Sequence, residues 1–318
     1  MEIIDRFGLS VALVAPEAVA DAPWRLAERP IDVVRVADPP ADLRPVLTGA
    51  GFVVKPTMLT WVAPLEPTEE EFLLRLDTKA RQDVRRAQRR AGDAGLRLRV
   101  EQPVTGATFD RFLALYEERV AEMPHGVAFA NRHRDAVLGS DQYFAVLLED
   151  GGDLAGGTIV LESPDVDGVR MRFSAVTESW RRFSLARVLY FAAMRTAREK
   201  GYSFATLGDE PNLYGHLTQP GLFSFKVGSG FAAVASQDFG DPLGDDLADL
   251  VLRLTTLSDP SLILGYADAV GPERRLHGHL VATGAIDPRP YAAPFLTGLT
   301  LHTPGGPPVA GRPTTLTE

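Results

Sequence analysis

Residues 181–210, RRFSLARVLYFAAMRTAREKGYSFATLGDE, decide the fold of this chain. Apolar side chains recur every three or four positions across residues 185–200, which predicts a helix with one buried face that stops at Gly201. Residues 202–207 then predict a buried strand that ends at Gly208, Asp209 and Glu210. We expect the helix to pack on a sheet through four apolar side chains of this face: Leu185, Val188, Leu189 and Ala192.

The segments around this helix predict the rest of that sheet. Three strand-like runs precede it, and the short polar turns between them are typical of an antiparallel meander. These runs are residues 143–148, 155–161 and 169–176. A strand at residues 96–100 and a helix from Thr108 come earlier, and residues 232–235 predict a last strand. The predicted fold class is α+β, with a mixed, mostly antiparallel sheet over residues 96–235 flanked by helices.

A strongly basic helix precedes this region. Thr68 and Glu71 form a capping box at the start of a long helical pattern, and a break is predicted at Asp77 and Thr78, where a second cap could form. Residues 79–99 carry eight cations and two aspartates, a net charge of +8 − 2 = +6, on a chain whose net charge is −9. The cations include Arg85, Arg86 and Arg89. Such a patch can hold a phosphorylated ligand or RNA, and the alternative is a solvated helix face.

Residues 221–231, GLFSFKVGSGF, place one lysine among aromatic residues and glycines. We expect a glycine-rich loop in which the aromatic side chains exclude water and Lys226 donates hydrogen bonds to a developing oxyanion or a phosphate. The alternative is a tight turn with Lys226 extended to solvent. Residues 208–221, just upstream, are where we expect the choice of acceptor to be made.

The two ends of the chain give weaker patterns. Residues 31–36, 52–54 and 58–62 predict strands, and residues 40–47 predict a short helix. Beyond residue 240 we expect a helix at residues 247–254, with Asp245 and Asp246 at its start, and strands at 262–266 and 295–301. The predicted domain ranges are residues 1–75, 76–240, 241–303 and a disordered tail at 304–318.

Composition narrows the function classes. The chain of 318 residues has no cysteine, which excludes disulfides, a thiolate nucleophile and thiolate-bound metals. Its net charge of −9 argues against a general nucleic-acid-binding protein, and no DNA partner is expected. The first residues show no secretory signal and no apolar run is long enough to span a membrane, so we expect a cytoplasmic protein. His277 and His279 could share a strand face, but no third ligand is evident, so no metal site is predicted.

The element order over residues 96–235 resembles the GNAT fold of N-acyltransferases. In that family the N-terminus of the crossover helix binds the pyrophosphate of coenzyme A through Gln/Arg-x-x-Gly-x-Gly/Ala. Arg181 and Ala186 match this motif, but Ser184 stands in place of the central glycine. Three further segments resemble the Fem-type aminoacyltransferases, which use aminoacyl-tRNA. These segments are the basic helix at 78–87, residues 197–208, and the run from Leu222 to Lys226 with its following glycines.

The resemblance implies an enzyme that transfers an aminoacyl group from aminoacyl-tRNA to an amine of a peptidoglycan precursor or a small biosynthetic metabolite. No tightly bound cofactor or metal is implied. The alternatives are an N-acetyltransferase that uses acetyl-coenzyme A and a non-catalytic ligand-binding module. The resemblance also implies a partial GNAT-like lobe at the N-terminus, which the segment beyond residue 240 would complete. Oligomeric state and both substrates stay open.

Candidate site residues follow from the motifs and from the resemblance. Candidates for the chemistry are Lys226, Asp209, Glu210, His216 and Tyr214. Candidates for binding the donor and its phosphates are Arg181, Arg182, Ser184, Arg187, Phe225, Arg85, Arg86 and Arg89. A carboxylate could deprotonate the amine, and lysine and arginine could stabilise negative charge. Structural roles are the alternatives: a turn cap for the carboxylates, a satisfied core histidine for His216, and surface solvation for the arginines.

Overall fold

The computed structural model describes residues 1–239, 244–269, 271 and 273–306. Its contacts divide the chain into two compact units. The first unit comprises residues 1–60, 209–227 and 233–318, and the second comprises residues 61–208 and 228–232. Both units are discontinuous in sequence, whereas the domain ranges predicted above are continuous. That the predicted ranges are separate domains stays a prediction.

The strands of the described chain are numbered in sequence order. They are β1 (Glu2–Arg6), β2 (Leu9–Leu13), β3 (Val33–Ala37), β4 (Val53–Pro56), β5 (Met58–Pro64), β6 (Arg97–Glu101), β7 (Tyr143–Asp150), β8 (Asp153–Ser163), β9 (Gly168–Val176), β10 (Phe204–Pro211), β11 (Ala232–Ala235), β12 (Asp246–Val251), β13 (Ser261–Tyr266), β14 (Leu276–Val281) and β15 (Leu299–His302).

The α-helices are numbered in the same way. They are α1 (Arg44–Gly49), α2 (Glu69–Arg75), α3 (Thr78–Asp93), α4 (Gly106–Ala121), α5 (Phe129–Arg132), α6 (Arg134–Leu138), α7 (Glu178–Arg181), α8 (Leu185–Glu199) and α9 (Pro220–Val227).

A seven-stranded sheet with the order β11-β5-β10-β9-β8-β7-β6 confirms the predicted fold class. Strands β6 to β9 form the antiparallel meander, and β10 returns parallel to β9. Helix α8 makes that crossover and packs on β7, β8 and β9, as its apolar stripe predicts. Leu185, Leu189 and Ala192 are buried in this packing, and Val188 is half-buried.

The long helical pattern that begins at Thr68 forms two helices, α2 and α3, rather than one. Asp77 accepts a hydrogen bond from the backbone N–H of Ala80 and so begins α3, while Thr68 and Glu71 form the predicted capping box of α2. Ala80, Val84, Ala87 and Ala91 make the buried face of α3, which leaves its arginines on the remaining faces. The predicted break at Asp77 is confirmed.

In the first unit, the predicted helix at residues 247–254 is wrong. Strand β12 occupies this region and pairs antiparallel with both β3 and β4 in the sheet β1-β2-β3-β12-β4. Asp249 in the middle of β12 is fully enclosed by ion pairs with Lys55 and Arg35, at 2.8 and 2.7 Å. Asp246 likewise opens a strand rather than a helix. Contacts that only the folded chain makes therefore override the local helical spacing.

The predicted glycine-rich loop around Lys226 is also wrong, because residues 220–227 form helix α9. Pro220 is compatible with the first turn of a helix, and Phe223 and Lys226 share its buried face. Gly230, after the helix, has φ +90°, and a β-carbon there would lie 2.4 Å from Phe72. The predicted disorder at 304–318 falls mostly on residues 307–318, which lie outside the described residues.

Candidate functional site

Lys226 lies in the first unit and is buried, with only 6% of its surface exposed. Its ammonium group donates to Glu210 Oε2 at 2.5 Å, and Glu210 is itself 8% exposed. Burial lowers the pKa of Lys226, and the charge of Glu210 acts in the opposite direction. The predicted water-poor environment is therefore present, but the lysine has a fixed carboxylate partner that the sequence pattern did not reveal.

Tyr214 completes this cluster. Its hydroxyl donates to Glu210 Oε1 at 2.5 Å, so both oxygens of the carboxylate accept strong hydrogen bonds. The Tyr214 side chain is fully buried, and its ring packs edge-on against Phe223 at 5.7 Å. We call Lys226, Glu210 and Tyr214 the buried triad. Its members hold one another in place, because the lysine and the tyrosine each donate to a different oxygen of the Glu210 carboxylate.

Asp209 differs from its neighbour Glu210 because it is exposed. It accepts a hydrogen bond from the hydroxyl of Thr60 at 2.5 Å, and Thr60 is itself buried beside Ser236. One carboxylate oxygen is thus oriented by the protein while the residue keeps access to solvent. Of the two predicted carboxylates, Asp209 has the exposure that a base acting on an incoming amine needs.

His216 contacts the protein backbone, and Phe225 lies half-buried on α9. His216 is buried, and its Nε2 lies 3.0 Å from the carbonyl oxygen of Phe7, so that nitrogen donates. This contact matches the structural role that the sequence left as the alternative for His216. Phe225 is half-buried on α9, whereas its neighbour Phe223 is the ring that packs on Tyr214.

Ser184 immediately precedes α8, in the second unit, and has the left-handed conformation, with φ 58° and ψ 35°. Glycine adopts this conformation without steric cost, which explains why a glycine would suit this position. The first turn of α8 leaves backbone N–H groups without partners inside the helix, and its positive dipole end attracts anions. Ser184 therefore has a backbone conformation that favours glycine, directly before a helix N-terminus.

The three predicted arginines near α8 have different surroundings. Arg181 is exposed and makes long ion pairs with Glu178 and Glu122, at 3.5 and 3.9 Å. Arg187 is half-buried and donates to the carbonyl oxygen of Gly228 at 2.6 Å, so it holds that turn in place. Arg182 is exposed, and its guanidinium lies 4.8 Å from the ring centroid of Phe183. Arg182 is therefore the best placed of the three to meet a ligand.

Helix α3 carries the other predicted phosphate-binding residues. Arg85, Arg86 and Arg89 are exposed and line a surface cavity with Gln82 and Gln88. Arg85 pairs with Glu70 at 2.9 Å and Arg86 with Asp83 at 3.6 Å, whereas Arg89 has no carboxylate partner among the described residues.

Two arginines of the basic segment fall outside α3. Arg97 and Arg99 lie on β6, where Arg97 pairs with the buried Glu149 at 2.6 Å and Arg99 pairs with Glu101. Helix α3 alone has six cations and two aspartates, a net charge of 6 − 2 = +4. The net charge that α3 presents is therefore smaller than the +6 counted over residues 79–99.

Residues 78–214 match the family model described as acetyltransferase (GNAT) domain. These residues, fewer than half of the chain, are similar to a GNAT acetyltransferase domain. The matched range includes α3, the meander, α8 and β10, and it ends at Tyr214. The match agrees with the predicted fold class and supports the predicted acyltransferase activity. No curated protein matches the chain.

Solved structures similar to this chain include FemX, with 14% identity, a TM-score of 0.45, and coverage of 76% of this chain and 82% of that one. L-PGS from Bacillus licheniformis has 12% identity and a TM-score of 0.40, with 77% and 79% covered. An aminoglycoside acetyltransferase from an uncultured soil metagenomic sample has 16% identity and a TM-score of 0.30, with 35% and 75% covered.

Three histidines beyond residue 240 form a cluster in the first unit. His302 joins the predicted pair, and its Nε2 lies 2.9 Å from His279 Nδ1. Burial lowers the pKa of all three histidines, that of His302 to about 4, so the cluster is neutral at pH 7. Together with Phe52 and other residues, they line a cavity of about 320 Å³. Across the described ranges, no group of three potential ligands is arranged to hold a metal ion.

Several residues around the candidate site are not indicated by sequence motifs. Thr60, on strand β5 and far from Asp209 in sequence, orients the Asp209 carboxylate. Arg90 packs on Phe183, with its guanidinium 5.3 Å from the ring centroid. In the sequence, Arg90 could have been noticed only as one arginine of an arginine-rich helix. Phe183 could have been noticed only as the aromatic residue within the 181–186 motif. The structure describes no helix that is long and apolar enough to cross a membrane.

Proposed function

We propose that this protein transfers an aminoacyl group from aminoacyl-tRNA to an amine of a peptidoglycan precursor or of a small biosynthetic metabolite. The observation that carries this donor assignment is the basic surface of α3, whose net charge of +4 stands on a chain with a net charge of −9. A protein that is acidic as a whole repels polyanions except where cations are concentrated. Charged tRNA is a cytoplasmic substrate, which agrees with the expected location.

The exposure of these cations supports RNA binding rather than structural pairing. Arg85 and Arg86 have side chains about half exposed, and their carboxylate partners are also accessible to water. Such surface pairs contribute only about 0–1 kcal/mol each, so phosphate groups can replace the carboxylates at little cost. Neutralising several phosphates releases counterions, which supplies most of the affinity for a polynucleotide.

We assign the acyl-transfer chemistry to the residues of the first unit. The acceptor amine attacks the ester carbonyl of the donor, the new C–N bond forms, and the ester C–O bond to the ribose breaks. Asp209 takes the proton from the attacking nitrogen, and a proton is returned to the departing ribose oxygen. Lys226, held charged by Glu210, donates to the tetrahedral oxyanion. Tyr214 and Glu210 keep the ammonium group in place.

A second donor is favoured by one specific observation. Ser184 stands at the position of the central glycine of the coenzyme A motif and adopts a left-handed conformation that favours glycine, and Arg181 and Ala186 match that motif on either side. An acetyl-coenzyme A-dependent N-acetyltransferase would use the α8 N-terminus for the pyrophosphate. It would have little need for the additional cations along α3, which is why we favour aminoacyl-tRNA.

The two donors can be separated without knowing the acceptor. We would incubate the protein with ¹⁴C-labelled aminoacyl-tRNA or with ¹⁴C-acetyl-coenzyme A, each with a mixture of small amines, and follow loss of label from the donor. We expect label loss from aminoacyl-tRNA only, and the Asp209→Asn variant should slow it by at least about 100-fold. Label loss from acetyl-coenzyme A alone would establish the second donor instead.

A further inference from the structure

Two arginines of the second unit pack on one aromatic ring. The guanidinium carbons of Arg90 and Arg182 lie 5.3 and 4.8 Å from the ring centroid of Phe183. Trp180 packs edge-on against the same ring at 5.7 Å. We call Arg90, Arg182 and Phe183 the guanidinium stack. Both arginines are exposed, and neither has a carboxylate partner within the described part of the chain.

A favourable interaction with a helix C-terminus explains the position of Arg90, but it does not explain why two cations pack on the same ring. Arg90 lies in the last turn of α3, where a cation interacts favourably with the helix dipole. Arg182 is the C-cap residue of the four-residue helix α7 and directly precedes Phe183, so it reaches the ring from a different part of the chain than Arg90 does. Two like charges held beside one ring repel each other, which disfavours the cluster unless an anionic ligand offsets the repulsion.

The chemistry of the stack points to a nucleotide rather than to a simple anion. A guanidinium that packs on an aromatic ring presents a flat, cationic face, and unpaired bases stack on such planes and on aromatic rings. Arg86, one helical turn before Arg90 and exposed, can meet the adjoining phosphates. Base stacking and phosphate pairing are thus available on one surface.

We propose that the guanidinium stack binds an unpaired base at the single-stranded 3′ end of the donor RNA. This inference rests on the proposed function in taking the donor to be RNA. The base stacks on the guanidinium planes that Phe183 holds in position, and the preceding phosphates pair with the cations of α3. An adenine base also occurs in coenzyme A, so the test includes that ligand as a separate arm.

The test uses a single-stranded ribotetranucleotide ending in CCA, without any acyl group, and coenzyme A as the second ligand. Trp24 and Trp61 are buried, whereas Trp180 is half-exposed beside Phe183, so quenching of tryptophan fluorescence reports on the stack. The informative variant is Arg90→Lys/Arg182→Lys, which keeps both charges but removes the planar groups. Arg132→Lys is the matched control, since Arg132 lies 5.7 Å from the ring of Phe129.

We expect the double lysine variant to bind the oligonucleotide about 5- to 150-fold more weakly, with an unchanged salt dependence, because stacking is lost and charge is kept. Phe183→Leu should weaken binding in the same way, and the Arg132 control should bind as the wild type does. Equal binding by the double variant and the wild type would overturn the stacking assignment. Quenching by coenzyme A and not by the oligonucleotide would overturn the RNA assignment, whichever donor loses label in the transfer assay.

Discussion

Replacing Lys226 by methionine separates the structural role of the buried triad from its proposed chemistry. In the Lys226→Met variant, Glu210 stays buried and keeps the hydrogen bond from the Tyr214 hydroxyl, but it loses its cationic partner. Removing one partner of a buried ion pair costs about 3–5 kcal/mol, because it leaves an uncompensated charge. We therefore expect the free energy of unfolding to fall by about this amount at pH 7.

The double variant Lys226→Met/Glu210→Gln removes both charges. Its stability should return to within about 1 kcal/mol of the wild type, since neutral replacements of a buried pair are often tolerated. Its turnover should nevertheless stay at least about 100-fold below that of the wild type, because an oxyanion donor typically contributes this much. The assays are urea denaturation followed by circular dichroism, and label loss from the donor per folded molecule.

A matched control comes from the other buried lysine of the first unit. Lys55 is 1% exposed, pairs with Asp249 at 2.8 Å and donates to the backbone carbonyl oxygen of Asn212 at 2.5 Å, whereas Lys226 pairs with a side chain of the triad. Lys55→Met should destabilise the protein and leave turnover per folded molecule unchanged. The reasoning is refuted if Lys226→Met is as stable as the wild type, or if the stable double variant turns over at the wild-type rate.

Three further predictions concern single groups. Asp209→Asn should lower turnover by at least about 100-fold without lowering the melting temperature, because the side chain is exposed and acts as the base. Gly230→Ala should destabilise the protein by about 2–5 kcal/mol in urea denaturation, since φ is +90° and Phe72 lies 2.4 Å from the new carbon. Gly221→Ala, with nothing within 4 Å, is its control. For His302, a folded pKa of about 4 against 6.5 unfolded gives a stability contribution of about 3 kcal/mol above pH 6.5. That contribution should be lost as the pH falls from 6.5 to 4, as pH-dependent denaturation can show.

Each of these has an outcome that contradicts it. Normal turnover in Asp209→Asn would remove the carboxylate from the chemistry. Equal stability of the two glycine variants would mean that the close approach to Phe72 is absent. For the histidine, the folded state prefers the neutral ring and the unfolded state binds the proton. A His302→Gln variant that loses as much stability as the wild type between pH 6.5 and 4 would therefore contradict the assignment.

Local patterns were sufficient to predict the sheet and α8. The stripe from Leu185 to Ala197 and the turns of the meander depend on near neighbours in sequence, and both are present in the structure. Strand β12 was predicted as a helix because Leu247, Leu250 and Leu254 have helical spacing. Its environment is set instead by strands β3 and β4, which come from far earlier in the chain.

The candidate site was predictable in its residues but not in their pairings. The aromatic surroundings of Lys226 indicated a water-poor site, yet Glu210 reaches it only because β10 and α9 fold together. The exposure that distinguishes Asp209 from Glu210 depends on the direction of each side chain at the end of β10. In the same way, Arg90 and Phe183 are far apart in sequence, so the guanidinium stack has no local signature.

The most direct test of the donor assignment is the salt dependence of aminoacyl-tRNA binding. We would titrate the wild type and the Arg85→Gln/Arg86→Gln/Arg89→Gln variant at several salt concentrations, with Arg6→Gln/Arg25→Gln/Arg275→Gln as a control of equal charge change at exposed sites. Each phosphate contact contributes about 0.7–0.9 to the slope of log K against log salt, so the α3 variant should lose about 2–3 from that slope. Its melting temperature should be unchanged, because solvated helix charges contribute little to stability. Coincident slopes for the wild type and the α3 variant would show that these arginines only solvate the helix, and would contradict the account.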